Sequence, residues 1–514
     1  MPSKTFSAAI IGLEAQPIEV EVDTIPGQLH SFQIVGLPDA AVNESKERVN
    51  SAVRNSGYSP PHHTHRRIVV NLAPADIKKE GPIFDLPIAL AFLTASKQLP
   101  FEFLEKKLFI GELSLEGNLR PVNGALPIAL MAKQLGFDEL YLPQANAPEA
   151  AIAGNLQVFG LRTLGEAIGH LKGASLLTAQ EPINFNALTD NQQGSEVYDL
   201  AYIRGQEQAK RALEIAASGG HNVLMSGPPG SGKTLLAKAL ANILPPLTFN
   251  ESLEVSKIFS ISGQLKPERP LVIKRPFRHP HHTASAVALV GGGNHPKPGE
   301  ITLSHRGVLF LDELPEFHRD VLEALRQPLE DGVITVSRAA GTIEFPADFM
   351  LVAAMNPCPC GHLTNPHKDC VCTPGQVTKY QRKISGPLLD RIDLHLEVPL
   401  IKYDKLAAEK IAENSKTVLQ RVLAARGRQR QRFANNQIQT NSQMNILQMK
   451  QYCQLESRAH ELLKTAVDSL HLSARSYHRV LKIGRTIADL GQAEIIQAAH
   501  IAEALQYRPK EESA

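Results

Sequence analysis

Gly227, Pro228, Pro229, Gly230, Ser231, Gly232, Lys233 and Thr234 follow the spacing G-x-x-x-x-G-K-T. Glycines at these positions let successive backbone N–H groups turn inward onto phosphate oxygens. The lysine reaches the β- and γ-phosphates, and the threonine hydroxyl suits Mg²⁺. The apolar run Val223-Leu224-Met225 precedes the motif and a helix-like run, Leu235 to Leu244, follows it, which is the strand–loop–helix setting a phosphate cradle needs. Further on, Gly307-Val-Leu-Phe-Leu-Asp312-Glu313 reads as a buried strand ending in two acids. Asp312 would act on the magnesium, directly or through water, and Glu313 would polarise an attacking water. A third strand, Met350 to Asn356, ends in an amide. In a doubly wound sheet that end faces the ligand, so Asn356 could bond the γ-phosphate or the lytic water. The other reading is an asparagine that turns the chain before Pro357. Together these groups predict ATP and Mg²⁺ as cofactors and hydrolysis as the reaction.

A second cluster is of another kind. Cys358 and Cys360, then nine residues, then Cys370 and Cys372, give C-x-C twice within a short loop. Four thiolates suit tetrahedral Zn²⁺, and a structural zinc is expected; His362 or His367 could replace one thiolate. The alternative is four reduced cysteines in a loop.

These residues need domains to hold them. A chain of 514 residues suggests about three. Apolar content of 43% supports real cores, and 21% charged residues exclude a disordered chain. A net charge of +2 offers no global basic field, so local patches must carry any nucleic-acid contact. The N-terminus opens no signal peptide and no apolar run reaches spanning length, so no membrane is expected and the location is expected to be cytoplasmic. Residues 1–172 read as a compact α+β domain. Its strands are Ile18–Val22, Phe32–Val35, Arg66–Asn71, Leu108–Leu113 and Leu119–Val122. Its helices are Asp39–Val53, one beginning at Gly81, and Ile128–Leu135. His62, His63, His65, Arg66 and Arg67 form a basic cluster, either a solvated loop or a facing patch. A polar linker covers 173–198, the ATPase core 199–400 with its cysteine loop 358–372, and a helical region 401–514. A helix Leu406–Arg432 would carry Arg421, Arg426, Arg428, Arg430 and Arg432, either a solvated helix end or a phosphate-contacting stripe. Further helices are expected near Ser457–Leu470, Ala474–Leu490 and Gln492–Gln506.

Several stretches resemble known families. The first domain looks like the Lon-protease-type proteolytic domain at Gly81-Pro82-Ile83 and Val122 to Leu126. Isoleucine and leucine stand where that family has its serine and lysine, so the resemblance implies a fold without peptidase chemistry. Two β-rich runs flank Ser337-Arg338-Ala-Ala-Gly341. This hairpin resembles the pre-sensor-1 hairpin of an AAA+ branch that includes MCM helicases and magnesium-chelatase motors, which would set Arg338 against DNA. Ser385 to Leu394 resembles the arginine-finger segment of that branch, which implies that Arg391 completes a neighbouring subunit's site in a ring. Arg475, after Leu472-Ser473-Ala474, resembles the sensor-2 arginine of AAA+ lids, with Arg479 one turn on.

Taken whole, the chain resembles the YifB/ComM family of magnesium-chelatase-like AAA+ proteins. The specific marks are Phe32–Ala41, Arg278-His-Pro-His-His-Thr-Ala-Ser285, Gly291–Gly293 and Asn356-Pro-Cys-Pro-Cys-Gly361. The implied architecture is α/β and multidomain: a Lon-like domain, a P-loop AAA+ core and a helical lid. The implied function is a homo-hexameric, ring-shaped helicase that promotes branch migration on single-stranded and branched DNA when transforming DNA is integrated. The alternative is a chelatase-type or protein-remodelling ATPase acting on a protein client.

Overall fold

Hydrophobic alternation and continuous apolar runs build two different sheets in this computed structural model. It describes residues 2–26, 31–63, 66–100, 104–183, 185, 188, 198–293, 297–338, 341–401, 413–434 and 438–509. His65, residues 184, 186, 187 and 189–197 of the expected linker, the hairpin tip at 339–340 and the expected helix start at Leu406 lie outside the described residues. The chain divides into two units. One holds residues 1–190 and 249–273; the other holds 191–248 and 274–514.

The first unit contains a seven-stranded mixed sheet. Its strands are β1 (Ser3–Ile11), β2 (Glu14–Pro26), β3 (Ser31–Val35), β4 (Arg66–Ala73), β5 (Lys107–Phe109), β6 (Glu139–Pro143) and β7 (Gln157–Leu161), in the order β3-β4-β2-β1-β5-β6-β7. On β2, Ile18, Val20 and Val22 are fully buried while Glu19 and Glu21 turn toward the opposite face, the period of a half-buried strand. The strand pairs antiparallel with both β1 and β4. Helices α1 (Ser45–Asn55), α2 (Asp85–Ala95) and α3 (Ala125–Gln134) complete the unit, and nearly every residue of α2 is buried. The segment 249–273 joins it through an apolar cluster of Leu126, Ile152, Leu253 and Leu271.

Two expectations change here. The helix over Asp39–Val53 is split into a turn at Ala40–Asn43 and α1. The Arg48 guanidinium takes the Ala41 carbonyl at 2.9 Å, a group that would otherwise continue the helical ladder. The strand Leu108–Leu113 ends at Phe109, and Glu112–Leu113 pairs instead with Leu119–Arg120, because Gly111 N–H donates to the Ile83 carbonyl at 2.9 Å and turns the chain out.

The second unit is built on a parallel five-stranded sheet. Its strands are β8 (Val223–Ser226), β9 (Phe277–Arg278), β10 (Val308–Leu311), β13 (Met350–Met355) and β14 (Leu394–Glu397), ordered β9-β10-β13-β8-β14. Every residue of β10 and β13 is buried, as expected for strands covered on both faces. The hairpin β11 (Val333–Arg338) and β12 (Gly341–Pro346) stands between β10 and β13 in the chain, with Arg338 opposite Gly341. Helices α4 (Glu207–Gly219) and α5 (Lys233–Ile243) flank the phosphate loop. Helix α6 (Pro374–Gln381) follows the cysteine loop. Helices α7 (Ser415–Arg432), α8 (Ser457–Ser469), α9 (Ala474–Leu490) and α10 (Ala498–Gln506) form the C-terminal part. The last helix starts six residues later than Gln492, because Gln492 is left-handed and Gln497 with His500 forms a capping box at the true start. No helix of the described residues is long and apolar enough to cross a membrane.

Candidate nucleotide site and cysteine centre

The loop between β8 and α5 is set by its glycines. Gly232 sits at φ +87° as the N-cap of α5, a conformation that L side chains rarely adopt. With no side chain capping the helix, its first N–H groups are left for an anion. The Lys233 ammonium donates to the carbonyls of Gly227 at 2.7 Å and Pro228 at 3.1 Å, and to Asn356 Oδ1 at 3.3 Å. Burial pushes its pKa down, while Asp312 and Glu313 act in the opposite direction. Thr234 Oγ1 donates to Asp312 Oδ2 at 2.8 Å, a hydroxyl–carboxylate pair suited to hold a hard cation. The buried Ser231 hydroxyl in the same loop has no partner, as expected where a phosphate oxygen would supply one. These donors and acceptors fit a magnesium nucleotide.

The acids hang from the end of β10. Glu313 is left-handed, with φ 53° and ψ 46°, and its N–H donates to Asp312 Oδ1 at 2.9 Å. Its carboxylate meets His282 Nδ1 at 3.1 Å. Asn356 follows directly on β13, next to Lys233, so the amide stands in the site as well as before the turn. Lys233, Thr234, Asp312, Glu313 and Asn356 are thus brought together at one end of the sheet.

The arginines are placed otherwise. Arg391 pairs with Glu330 and donates to the Pro387 carbonyl at 2.8 Å. Arg475 lies 4.0 Å from Asp390, and the buried Arg479 donates to the Asp390 carbonyl at 2.6 Å. Neither Arg391 nor Arg475 has a described hydrogen bond to the phosphate loop of its own chain. Arg338 occupies the last position of β11.

The arginine run on α7 is mostly spent on the chain itself. Arg421 forks onto Glu413 and also reaches Glu214. Arg426 donates to the Ala217 carbonyl, Arg428 to that of Asp489, and Arg432 forks onto the Asp489 carboxylate. Four of the five are therefore engaged within the chain, while Arg421 and Arg430 remain exposed.

Sequence reasoning missed two residues of this site. Gln206, left-handed before α4, donates to the Ser231 carbonyl at 2.5 Å and so braces the phosphate loop. His282 Nδ1 lies beside the Glu313 carboxylate, and the neighbouring His279 packs on Phe310 of β10 at 4.8 Å between ring centroids. The signal was present in the Arg278–Ser285 run, which leaves β9 beside β10, but its role depends on tertiary pairing.

The four cysteines converge. Sulfur–sulfur separations are 3.4 Å for Cys358–Cys360 and 3.6 Å for both Cys358–Cys370 and Cys360–Cys370, and all four sulfurs lie within 4.8 Å of one another. Tetrahedral Zn–S bonds of about 2.3 Å would space the sulfurs at about 3.8 Å. His362 is engaged with Asn365 at 3.2 Å, so the thiols are the donor set. A metal ion fits this cluster.

With that geometry in place, comparison with known proteins decides the family. Residues 20–146 match the family described as subunit ChlI of Mg-chelatase, 199–406 match magnesium chelatase subunit ChlI, and 412–508 match its C-terminal family. The chain is 45% identical over 507 residues to the competence protein ComM of Haemophilus influenzae, covering 98% of this chain and 96% of the relative. It belongs to the YifB/ComM family of magnesium-chelatase-like AAA+ proteins. The YifB protein of Escherichia coli is 44% identical over 98% of this chain and 97% of that one. The magnesium-chelatase 38 kDa subunit of Cereibacter sphaeroides is 28% identical over 176 residues, 31% of this chain and 53% of that subunit. The kinship thus runs the full length with YifB and ComM and only part of the length with the chelatase subunit.

Proposed function

We propose that this YifB/ComM-family chain is an ATP-driven DNA motor that assembles as a hexameric ring and promotes branch migration when transforming DNA is integrated. The observation that carries the reading is the assembled hydrolytic site in a chain similar over nearly its whole length to a competence protein. Lys233 and the loop from Gly227 to Thr234 would hold the phosphates, and Thr234 with Asp312 the magnesium. Bound ATP and Mg²⁺ supply the transferable phosphoryl group and its charge neutralisation. Glu313 orients and polarises the attacking water, and Asn356 fixes the water or the γ-phosphate. Arg391, exchanging Glu330 for a neighbour's phosphate, and Arg475, exchanging Asp390, would complete the site across the ring. The β11–β12 hairpin would present Arg338 to DNA. Residues 1–172 would be a Lon-like fold without its peptidase: Ile83 is half-buried and Leu126 fully buried among apolar neighbours, where neither provides a nucleophile or base. The four thiolates of the cysteine centre would hold a structural zinc.

The test is Glu313→Gln, which should bind ATP without turning it over. ATP-dependent retention of branched DNA at moderate salt is the expected outcome, and its absence would remove the motor reading. A second reading, an ATPase that remodels a protein client as chelatase motors do, is favoured by the chelatase families matched. It predicts nucleotide turnover indifferent to DNA. Arg391→Ala should keep nucleotide affinity while hydrolysis falls by about 10³-fold, the scale of an arginine finger.

A further inference from the structure

The cysteine loop touches the phosphate loop. Gly361, the residue after Cys360, sits at φ +80° with its α-carbon against Pro229. A methyl group there would lie 2.6 Å from Pro229 Cδ and 2.7 Å from Cγ, well inside contact distance. The two loops meet again through the protein. Cys358 is fully buried two residues after Asn356, and Asn356 Oδ1 accepts from Lys233 at 3.3 Å. Gly227 N–H donates to the Met355 carbonyl at 3.2 Å. The far end of the cysteine loop is equally fixed: Thr373, next to Cys372, caps α6 in a reciprocal capping box, and Gln381 on α6 donates to the Pro357 carbonyl at 3.4 Å.

We infer that a zinc ion held by Cys358, Cys360, Cys370 and Cys372 is a positioning element of the nucleotide site, fixing the phosphate loop through the Gly361–Pro229 contact. The inference rests on the zinc reading given above. The physical reason is the length of the loop. Residues 357–373 form no helix or strand, only short turns such as Gly361 N–H onto the Cys358 carbonyl and Asn365 N–H onto the His362 carbonyl, each at 3.0 Å, and a cross-link at the sulfurs would tie these turns together and keep Gly361 on Pro229. Pro229 itself is exposed and has no N–H to bond, so the outer turn of the phosphate loop depends on packing from outside. With the metal bound, the turn is held in the cradle form before nucleotide arrives. Without it, Gly361 withdraws and nucleotide must order the turn on binding, which weakens affinity. The same sulfurs lie one loop away from Asn356, so metal loss also loosens the amide that Lys233 bonds.

The experiment uses reduced full-length protein, with zinc measured by elemental analysis and affinity by titration with a fluorescent ADP analogue, so that neither hydrolysis nor DNA enters. Wild type should carry one zinc per chain. Cys370→Ser/Cys372→Ser should lose zinc and bind ADP about tenfold more weakly, the equivalent of one charge-assisted hydrogen bond. Gly361→Ala should keep its zinc and show the same weakening. Gly375→Ala, where an added methyl meets nothing within 4 Å, should match wild type. If the double serine variant melts early, wild type stripped with a chelator and reloaded with zinc makes the comparison reversibly. A zinc-free wild type would overturn the metal reading. A zinc-loaded wild type whose ADP affinity is unchanged by zinc loss, or a Gly361→Ala variant that binds normally, would overturn the coupling and leave the metal reading standing.

Discussion

Glu149 and Glu313 show how differently two carboxylates are used. Glu149 is buried in the first unit, where Asn146 Nδ2 reaches it at 3.1 Å, and burial pushes its pKa up to about 7. Asn146 also clasps both the N–H and the carbonyl of Val122, so the whole arrangement ties a loop to the start of α3. Glu313 is half-exposed at the end of β10, in left-handed backbone, beside Asp312, Thr234 and Lys233. A perturbed titration would single out Glu149; convergent chemistry singles out Glu313. A shifted pKa marks a site only where groups that could bind or transform something meet it.

The largest effect should separate the two. Glu313→Gln should lower ATP turnover by about 10²- to 10⁴-fold, the range for a lost general base, with nucleotide affinity kept. Glu149→Gln should leave turnover within about twofold of wild type, since Glu149 has no described bond to any residue of the nucleotide site. Steady-state hydrolysis under saturating ATP checks both. A large loss in Glu149→Gln would break the distinction drawn here.

The same contrast explains what could be read from sequence. Gly227 to Thr234 is a local pattern, and strand–loop–helix context makes its meaning plain. The runs ending at Glu313 and Asn356 are also local, because a buried strand leaves its polar end at the sheet's ligand edge. Glu149, by contrast, sits in an alanine-rich stretch with nothing in its neighbours to mark it. The partners of the α7 arginines are equally hidden: Arg432 meets Asp489 and Arg421 meets Glu214 only after folding, so two members of a run that reads as uniformly basic are ion-paired within the chain. Segment 249–273 also defeats linear reading, since it lies between the phosphate loop and Asp312 in sequence yet clusters with the first unit.

A smaller effect concerns stability. The folded pKa of Glu149 lies near 7, above the unfolded 4.5, so between these values the folded state binds more protons than the unfolded one. Stability therefore falls as pH rises through that window, and the full cost is present above it. Glu149→Gln should remove this slope and raise stability at pH 8 by up to about 3 kcal/mol, the free energy of the shift. Denaturant titrations of both proteins at pH 4.5 and pH 8 decide it. Equal pH dependence would mean that the carboxylate is already ionised at low pH and that burial does not control it.

The smallest expected effect tests whether Glu313 is positioned as well as placed. His282 Nδ1 lies 3.1 Å from its carboxylate, and a partly exposed ion pair of this kind is worth about 0.2–1 kcal/mol. His282→Ala should therefore lower the turnover number by up to about fivefold and leave the KM for ATP unchanged, because the histidine touches the glutamate and not the phosphate loop. A glutamine at 282 retains a donor of similar reach and should recover most of the loss, which a merely structural histidine would not show. If alanine and glutamine reduced turnover equally, the contact would be packing alone. Glu313 would then owe its orientation to its left-handed backbone and to its own N–H bond with Asp312.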